Sequence, residues 1–253
     1  MKGIVLRRPE KRLGLVQTRR IEARYSRQLR SIANQIGKIV NGWFPPDSEF
    51  DLWDVAGLQD ALLRYSQRVR PWAKATAARM SAEIASRERR NWSRHSMKLG
   101  KGMQREINNA PIGQTLQNFM NEQVELITSL PIEAGQRVHK LALENRSSGV
   151  RASELAKEIM KTGHVTESRA ALIARTETTR VASALTMTRA VHVGSESYIW
   201  RTAGDSDVRP SHKKLNGKVF RWDDPPESDP GHHAHPGMIW NCRCYPEPII
   251  PDF

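Results

Sequence analysis

The sequence predicts an α+β protein, with a mainly α-helical N-terminal region followed by a helical hairpin, a small antiparallel β-sheet and an irregular C-terminal module that contains cysteine and histidine. Three observations support this prediction. Apolar residues recur at helical spacing through most of the chain before Gly194, aromatic and β-branched residues cluster after it, and both cysteines lie near the C-terminal end. The 253 residues suit two ordinary domains, which we expect to be a basic helical region over 1–120 and a mixed domain over 121–253.

The clearest helix is predicted over residues 18 to 43. From Ile21 to Trp43 the apolar residues repeat every three or four positions, which places them on one stripe, and the arginines fall largely outside it. Pro71 and Pro131 are each expected to begin a further helix, because proline suits the first helical turn.

Two shorter signals predict the next boundaries. Gly163 is expected to end a helix that starts near Ala152, and Thr166 to cap a long helix from Ser168 to about His192. The segment 152–180 therefore also resembles a helix-turn-helix, although any two helices joined by a glycine-containing turn share that pattern.

After Gly194 the pattern changes to that of a small sheet. Residues 197–202 are rich in aromatic and β-branched types and predict a strand. The pair Asn216-Gly217 favours a tight hairpin turn. Four prolines between Asp223 and Gly237 predict a long irregular segment.

The charge is strongly basic and unevenly distributed. The formal net charge is +13, and the first 194 residues carry 33 Lys and Arg against 18 Asp and Glu. Such a surface is typical of a protein that contacts a polyanion, with nucleic acid or an acidic protein as the partner and a merely solvated basic surface as the alternative. The candidate contact residues are Arg19, Arg20, Arg24, Arg27, Arg30, Arg87, Arg89, Arg90 and Arg94.

Several classes of protein are excluded or disfavoured. No apolar run is long enough to span a membrane, and the basic N-terminus lacks the apolar block of a signal peptide, so synthesis in a reducing cytoplasm is expected. No serine-triad motif, phosphate-binding glycine loop or zinc-protease motif is present, and we predict no catalytic residues. The rival hypothesis is a metal-dependent nuclease, but prolines interrupt the region where its second metal-binding helix should lie.

The cysteines and histidines form the strongest local signal. Cys242 and Cys244 are the only cysteines, and four of the eight histidines lie just upstream, at His212, His232, His233 and His235. A thiol pair beside imidazoles can bind a metal, pack as reduced thiols or form a disulfide, and the spacing alone leaves all three open.

The order of several short motifs resembles that of the Mu F-like phage head morphogenesis proteins. The sequence Ile-Ala-Arg-Thr-Glu-Thr at 173–178 begins a small-residue helix, and Tyr-Ile-Trp at 198–200 follows it. Then come Asp-x-Asp-Val-Arg-Pro-x-His at 205–212, Leu-Asn-Gly-Lys-Val-Phe at 215–220, a proline-rich loop, and Asn-Cys-Arg-Cys at 241–244. The similarity covers roughly residues 130 to 248.

The resemblance implies a structural minor head protein of a tailed bacteriophage. Proteins of this kind associate with the portal protein, the major capsid protein and the packaged double-stranded DNA, and act in head assembly or DNA delivery. The resemblance therefore implies a location in the virion, inside the capsid near the portal vertex, after synthesis in the host bacterium.

The resemblance also implies roles for particular residues. The position of His212 is occupied by Cys or His in relatives, which favours zinc as the cofactor. The expected ligands are His212, Cys242 and Cys244, with His235 as the fourth and His232 or His233 as its substitutes. Arg175, Glu177 and Arg243 are expected to be structural, with Arg243 pointing away from the sulfurs and pairing with an aspartate such as Asp205 or Asp207.

Overall fold

The computed structural model describes residues 18–44, 54–96, 101–148 and 152–251, and it confirms the α+β class. Within these residues, helices make up almost all of the chain up to His192, and a small antiparallel sheet follows. The helices are α1 Arg19–Trp43, α2 Val55–Ser96, α3 Lys101–Asn109, α4 Ile112–Ser148, α5 Ala152–Met160, α6 Thr162–His192 and α7 Pro210–Leu215. The strands are β1 Ser197–Arg201, β2 Val219–Arg221, β3 Glu227–Asp229, β4 His232–His233 and β5 Tyr245–Ile249.

Helix α1 has the predicted amphipathic pattern. The apolar stripe that contains Ile21, Tyr25, Leu29 and Ile36 is buried, with each of these side chains at most 1% exposed. The five arginines of this helix are all exposed. Burial of the stripe therefore orients α1, because each fully buried aliphatic side chain contributes about 1.5–3 kcal/mol.

Both proline predictions are wrong, because Pro71 lies inside α2 and Pro131 lies inside α4. Proline removes one backbone hydrogen bond from a helix but does not prevent packing on either side of it. Buried residues flank both sites, such as Val69 and Ala73 in α2 and Leu130 and Ala134 in α4. The buried helix face therefore continues through each proline.

The predicted boundary at Gly163 is also wrong. Helix α6 begins at Thr162, so Gly163 lies in its first turn, and the Thr166 hydroxyl donates to the Thr162 carbonyl within the helix. A Cβ on Gly163 would lie 3.2 Å from the Cα of Gly37, so this glycine permits a close crossing of α1 and α6. A single residue separates α5 from α6, which is too short for the turn of a helix-turn-helix.

The described residues form two compact units. Helices α1, α2, α4 and α6 are each divided between them, so that one part of the helix belongs to one unit and the rest to the other. We call these units the helical unit and the sheet unit. The helical unit contains 23–44, 54–77, 121–148 and 152–174, and the sheet unit contains 18–22, 78–96, 101–120 and 175–251. The domain boundary expected near residue 120 stays a prediction.

The helical unit has a core of aliphatic side chains, including Leu29, Leu58, Leu62 and Ile127 at 0% exposure. Polar contacts also join the helices of this unit, most of them ion pairs near the surface such as Arg70–Glu125. One hydrogen bond joins the Ser66 hydroxyl to the Thr128 carbonyl over 2.7 Å.

The sheet unit is built on three antiparallel strands in the order β2-β1-β5. The central strand β1 places Trp200 opposite Pro246 and Tyr198 opposite both Phe220 and Pro248. Strand β5 tolerates its two prolines because it lies at the edge of the sheet. The core beneath the sheet combines aromatic residues with both cysteines, and its buried members are Trp92, Ile107, Ala190, Val193, Tyr198, Trp200, Trp222, Cys242, Cys244 and Ile250.

The Asn-Gly pair forms a tight turn, but this turn connects helix α7 to strand β2 rather than two strands of a hairpin. Asn216 has φ −56° and ψ 125°, and Gly217 has φ 84°, which are the angles of a type II turn. The Lys218 N–H donates to the Leu215 carbonyl over 3.0 Å and closes it.

The proline-rich segment is more regular than expected, because β3 and β4 pair within it as a short antiparallel ribbon. Gly231, with φ 74°, lies in the turn between them. Separately, within the residues that the structure describes, no helix has the length and apolarity needed to cross a membrane.

Candidate metal centre

Three potential metal ligands converge in the core of the sheet unit. The Sγ atoms of Cys242 and Cys244 lie 3.6 and 3.5 Å from Nδ1 of His212. All three ligand atoms lie within 4.8 Å of one another. The three residues are only 2–3% exposed, so they form a closed cluster rather than an open cleft.

The local backbone fixes the position of each ligand. Pro210 begins the short helix α7, whose only buried residue is His212. The cysteines lie on the extended segment that leads into β5, and Asn241 precedes them in the left-handed region with φ 60°. Asparagine tolerates that conformation better than most residues, which explains the Asn before the Cys-x-Cys sequence.

Helix α6 anchors this segment through the motif noted in the sequence. The Thr176 hydroxyl accepts a hydrogen bond from the Asn241 N–H over 3.0 Å, and Arg175 donates to the Asn241 side chain over 3.0 Å. The signature on α6 and the Cys-x-Cys sequence, 65 residues apart, therefore act together in the fold.

The two thiols do not titrate independently. A hydrogen bond from Cys244 lowers the pKa of Cys242, and His212 adds to this effect. The same contact with Cys242, together with burial, raises the pKa of Cys244. The pair therefore favours one thiolate and one thiol that share a proton, and the Cys244 N–H also donates to the Cys242 sulfur over 3.4 Å.

The ligand set fits zinc. With Zn–S near 2.3 Å and Zn–N near 2.0–2.1 Å, a tetrahedral zinc holds its sulfur and nitrogen ligands about 3.6 Å apart. The two S–N distances of the cluster match that separation. Both cysteines are free thiols, so the structure shows no disulfide between them.

The fourth predicted ligand, His235, lies elsewhere in the structure. Its Nδ1 is 3.0 Å from the Tyr198 hydroxyl, and its ring packs against Tyr198 and Trp222. Burial lowers the pKa of His235, which favours the neutral imidazole. His232 and His233 are exposed on β4. Within the described residues the structure thus brings together three of the four expected ligands.

Asp229 is a functional candidate that the sequence analysis missed. Its Oδ1 lies 3.6 Å from Nε2 of His212, the buried ring nitrogen that faces away from the sulfurs and has no hydrogen bond in this structure. Arg209 and Ser211 each donate to the Asp229 carboxylate, over 2.7 and 2.9 Å. A metal-bound histidine ordinarily donates its other N–H to such a carboxylate.

The three residues predicted to be structural are all engaged. Arg243 reaches Asp205 over 3.0 Å and Asp207 over 2.8 Å, so the predicted ion pair is present. Glu177 is fully buried and pairs with Arg180 over 2.8 Å. Arg175 pairs with Glu22 over 3.4 Å, in addition to its bond to Asn241.

The predicted contact arginines lie on helix surfaces. All are exposed except Arg87, which is partly buried and pairs with Glu83 over 3.3 Å. Arg30 pairs with Glu167 over 3.6 Å, and Arg90 donates to Ser86 over 2.9 Å. Their role in binding stays a prediction.

Comparison with known proteins finds one family that matches part of the chain. Residues 136–246 match the family described as Phage Mu protein F like protein. The matched region contains both the α6 signature and the Cys-x-Cys sequence, and it lies within the region of similarity found in the sequence. Over this region the chain is similar to that family. The resemblance to the Mu F-like family is confirmed.

A full-length relative extends the similarity to the N-terminal helices. An uncharacterized protein of Haemophilus influenzae is 25% identical over 245 residues, covering 92% of this chain and 54% of that protein. The chain thus spans about half the length of this curated relative. No solved structure gives a significant match.

Proposed function

We propose that the protein is a structural minor head protein of a tailed bacteriophage that bridges the portal protein, the major capsid protein and the packaged double-stranded DNA inside the capsid. The family match supports a role in head morphogenesis. The exposed arginines of α1 and α2 supply surfaces that suit DNA or an acidic partner.

The burial of the candidate metal centre is the observation that supports a structural rather than a catalytic role. A general base must approach the proton that it removes. His212, the histidine that a nuclease of this module would need, is 2% exposed and packs against Trp200. The cluster therefore suits a part that stabilises the fold of the sheet unit.

The cofactor proposed for the cluster is zinc, held by His212, Cys242 and Cys244. These three residues would hold the metal, and a bound zinc would supply a cross-link between α7 and the segment before β5. Asp229, whose Oδ1 lies 3.6 Å from Nε2 of His212, would then accept from Nε2 and orient the imidazole.

Two experiments test the function. The first is a search for the protein in purified particles by mass spectrometry, with an asymmetric cryo-EM reconstruction of the portal region. The second is a plasmid-nicking assay with added magnesium, manganese or zinc. We expect the protein in particles and no cleavage. Absence from particles together with cleavage that His212→Ala abolishes would establish the nuclease instead.

The metal proposal has its own test. We expect one zinc per chain in purified protein, and thiolate-to-metal absorption after replacement of zinc by cobalt. Asp229→Asn should weaken zinc binding about 10- to 100-fold. Asp223→Asn is the matched control, because Asp223 is exposed in the same module and pairs with Arg221. Protein that folds without metal and gives no cobalt spectrum would remove zinc from the proposal.

A further inference from the structure

The sheet unit contains a second feature beside the candidate metal centre, a cavity of about 610 Å³. We call it the arginine cavity. Its walls come from the first turn of α1, from α2, from α6, from the loop after β1 and from the segment before β5. The lining residues that matter here are Arg19, Arg20, Arg87, Arg243, Glu22 and Asp205.

This cavity joins two arginine clusters that lie far apart in the sequence. Arg19 and Arg20 come from the cluster on α1, and Arg87 comes from the cluster on α2. Arg243, between the two cysteines, adds a fourth guanidinium group to the wall. Four arginines against two carboxylates give the wall a positive formal charge.

The carboxylates on the wall are already neutralised by arginines. Glu22 pairs with Arg175 over 3.4 Å, and Asp205 pairs with Arg243 over 3.0 Å. No carboxylate in the described part of the chain pairs with Arg19 or Arg20. Among the described residues, these two exposed guanidinium groups are thus not engaged by a carboxylate.

Other groups on the same wall suit phosphate oxygens. Ser183 contributes a hydroxyl group from α6, whereas the Thr179 hydroxyl on the same wall donates to the Arg175 carbonyl. The first turn of α1 carries N–H groups without acceptors inside the helix, which adds to the positive potential. The volume lies in the ordinary range for ligand sites.

We propose that the arginine cavity is a binding site for the phosphate backbone of nucleic acid, and that Arg19, Arg20 and Arg87 are its main contacts. A guanidinium group can donate two parallel hydrogen bonds to the oxygens of one phosphate. A cavity whose guanidinium groups come from separate elements therefore fixes the position of the phosphate backbone. The bases take no part, so binding is independent of sequence. This proposal rests on the proposed function, for which it names a DNA contact site, and it does not depend on zinc.

The test compares two triple variants with equal loss of charge. The cavity variant is Arg19→Gln/Arg20→Gln/Arg87→Gln. The control variant is Arg24→Gln/Arg27→Gln/Arg90→Gln, which removes arginines of the same two clusters that do not line the cavity. Binding of a short mixed-sequence DNA duplex is followed by fluorescence anisotropy over about 50 to 200 mM salt, where phosphate contacts dominate affinity.

The measured quantity is the slope of the logarithm of the DNA-binding constant against the logarithm of the salt concentration. We expect this slope to become less steep by about 2 to 3 in the cavity variant, since each phosphate contact contributes about 0.9 to it. The slope of the control variant should change by less than about 1. An equal change in both variants, or no change in the cavity variant, would overturn the proposal. The proposal would also be overturned if polyglutamate competed for the wild-type protein as effectively as DNA does.

Folding is monitored separately, because Arg87 also pairs with Glu83. The double variant Arg19→Gln/Arg20→Gln leaves that pair intact and should show about two-thirds of the change in slope expected for the triple variant. A double variant that binds like wild type would count against the site. Incorporation into particles is measured independently, so failure of the cavity and failure of the head-protein function are distinguishable.

Discussion

The helical unit and the C-terminal module, residues 195–251 of the sheet unit, are stabilised in different ways. The helical unit buries aliphatic stripes and brings α1 and α6 close together at Gly37 and Gly163. The module buries aromatic rings, two thiols and an imidazole around three short strands. Its loops are fixed by ion pairs such as Arg209–Asp229 and Arg243–Asp205.

This difference shows how each region specifies its fold. Apolar burial is roughly proportional to area and tolerates changes that conserve volume, so the helical unit should depend little on any one polar residue. The module has too few regular elements for such a core, and its stability should depend on particular side chains. The predictions below test this contrast.

The largest effect is expected at the cysteines. Cys242→Ser/Cys244→Ser removes both sulfur ligands of the proposed zinc site, and loss of such a zinc would cost on the order of 10 kcal/mol. We expect loss of the near-ultraviolet circular dichroism from Trp200 and Trp222, while the far-ultraviolet helical signal remains. A chelator should have the same effect on the wild-type protein.

Ser206→Ala, at an exposed position of the same module, serves as the control. Retention of the aromatic signal and of the urea midpoint by the double variant would show that the module is held by packing alone, as the helical unit is.

The next effect concerns Glu88 and Arg189, a buried ion pair of the sheet unit with 2.6 Å between Oε2 and Nε. Burial raises the pKa of Glu88 from 4.5 to about 7, against the opposing effect of Arg189. A raised pKa in the folded state means that the folded protein binds the proton more tightly. The stabilising contribution is therefore complete below pH 4.5 and is lost as the pH rises through about 7.

Comparison with Glu88→Gln isolates this contribution. The free energy of unfolding of the wild-type protein, relative to that of the variant, should fall between about pH 5 and pH 8, by at most about 3 kcal/mol. Urea titrations across this range measure it. A difference that is constant with pH would show that Glu88 is ionised throughout and that Arg189 fully compensates its burial.

Gly163→Ala should give the third effect, in the helical unit. A Cβ on Gly163 would meet the Gly37 Cα at 3.2 Å, and the resulting overpacking should cost about 1–3 kcal/mol. The matched control is Gly113→Ala in α4, where an added Cβ has no neighbour within 4 Å. That change should stabilise the protein by about 0.4–1 kcal/mol, because it lowers the conformational entropy of the unfolded chain. Equal effects of both substitutions would mean that the α1–α6 crossing is not tight.

These positions also show what the sequence could and could not predict. The stripe of α1 was found because periodicity is a local property of the chain. Gly163 and Pro131 were misplaced because local rules assign them to helix ends, whereas packing decides their role. The sequence predicts both sulfur partners of His212, but Asp229 carries no local signal, because packing of β3 against α7 brings it near the imidazole.

The last prediction compares two ion pairs, one from each region. Arg70 and Glu125, in the helical unit, are 47% and 63% exposed, and solvent screens such a pair. Arg70→Gln should therefore change the free energy of unfolding by at most about 0.5 kcal/mol. Arg243→Gln should cost more, about 1–3 kcal/mol, because Asp205 has a second, buried oxygen without a hydrogen bond and would lose its remaining partner.

Urea unfolding of both variants at low and high salt distinguishes the two pairs. The effect of Arg70→Gln should vanish at high salt, whereas most of the effect of Arg243→Gln should persist, since a partly buried pair is screened less. Equal and salt-sensitive effects would mean that Arg243 is an ordinary surface residue. In that case the contrast between the two regions would rest on the thiols and the imidazole alone.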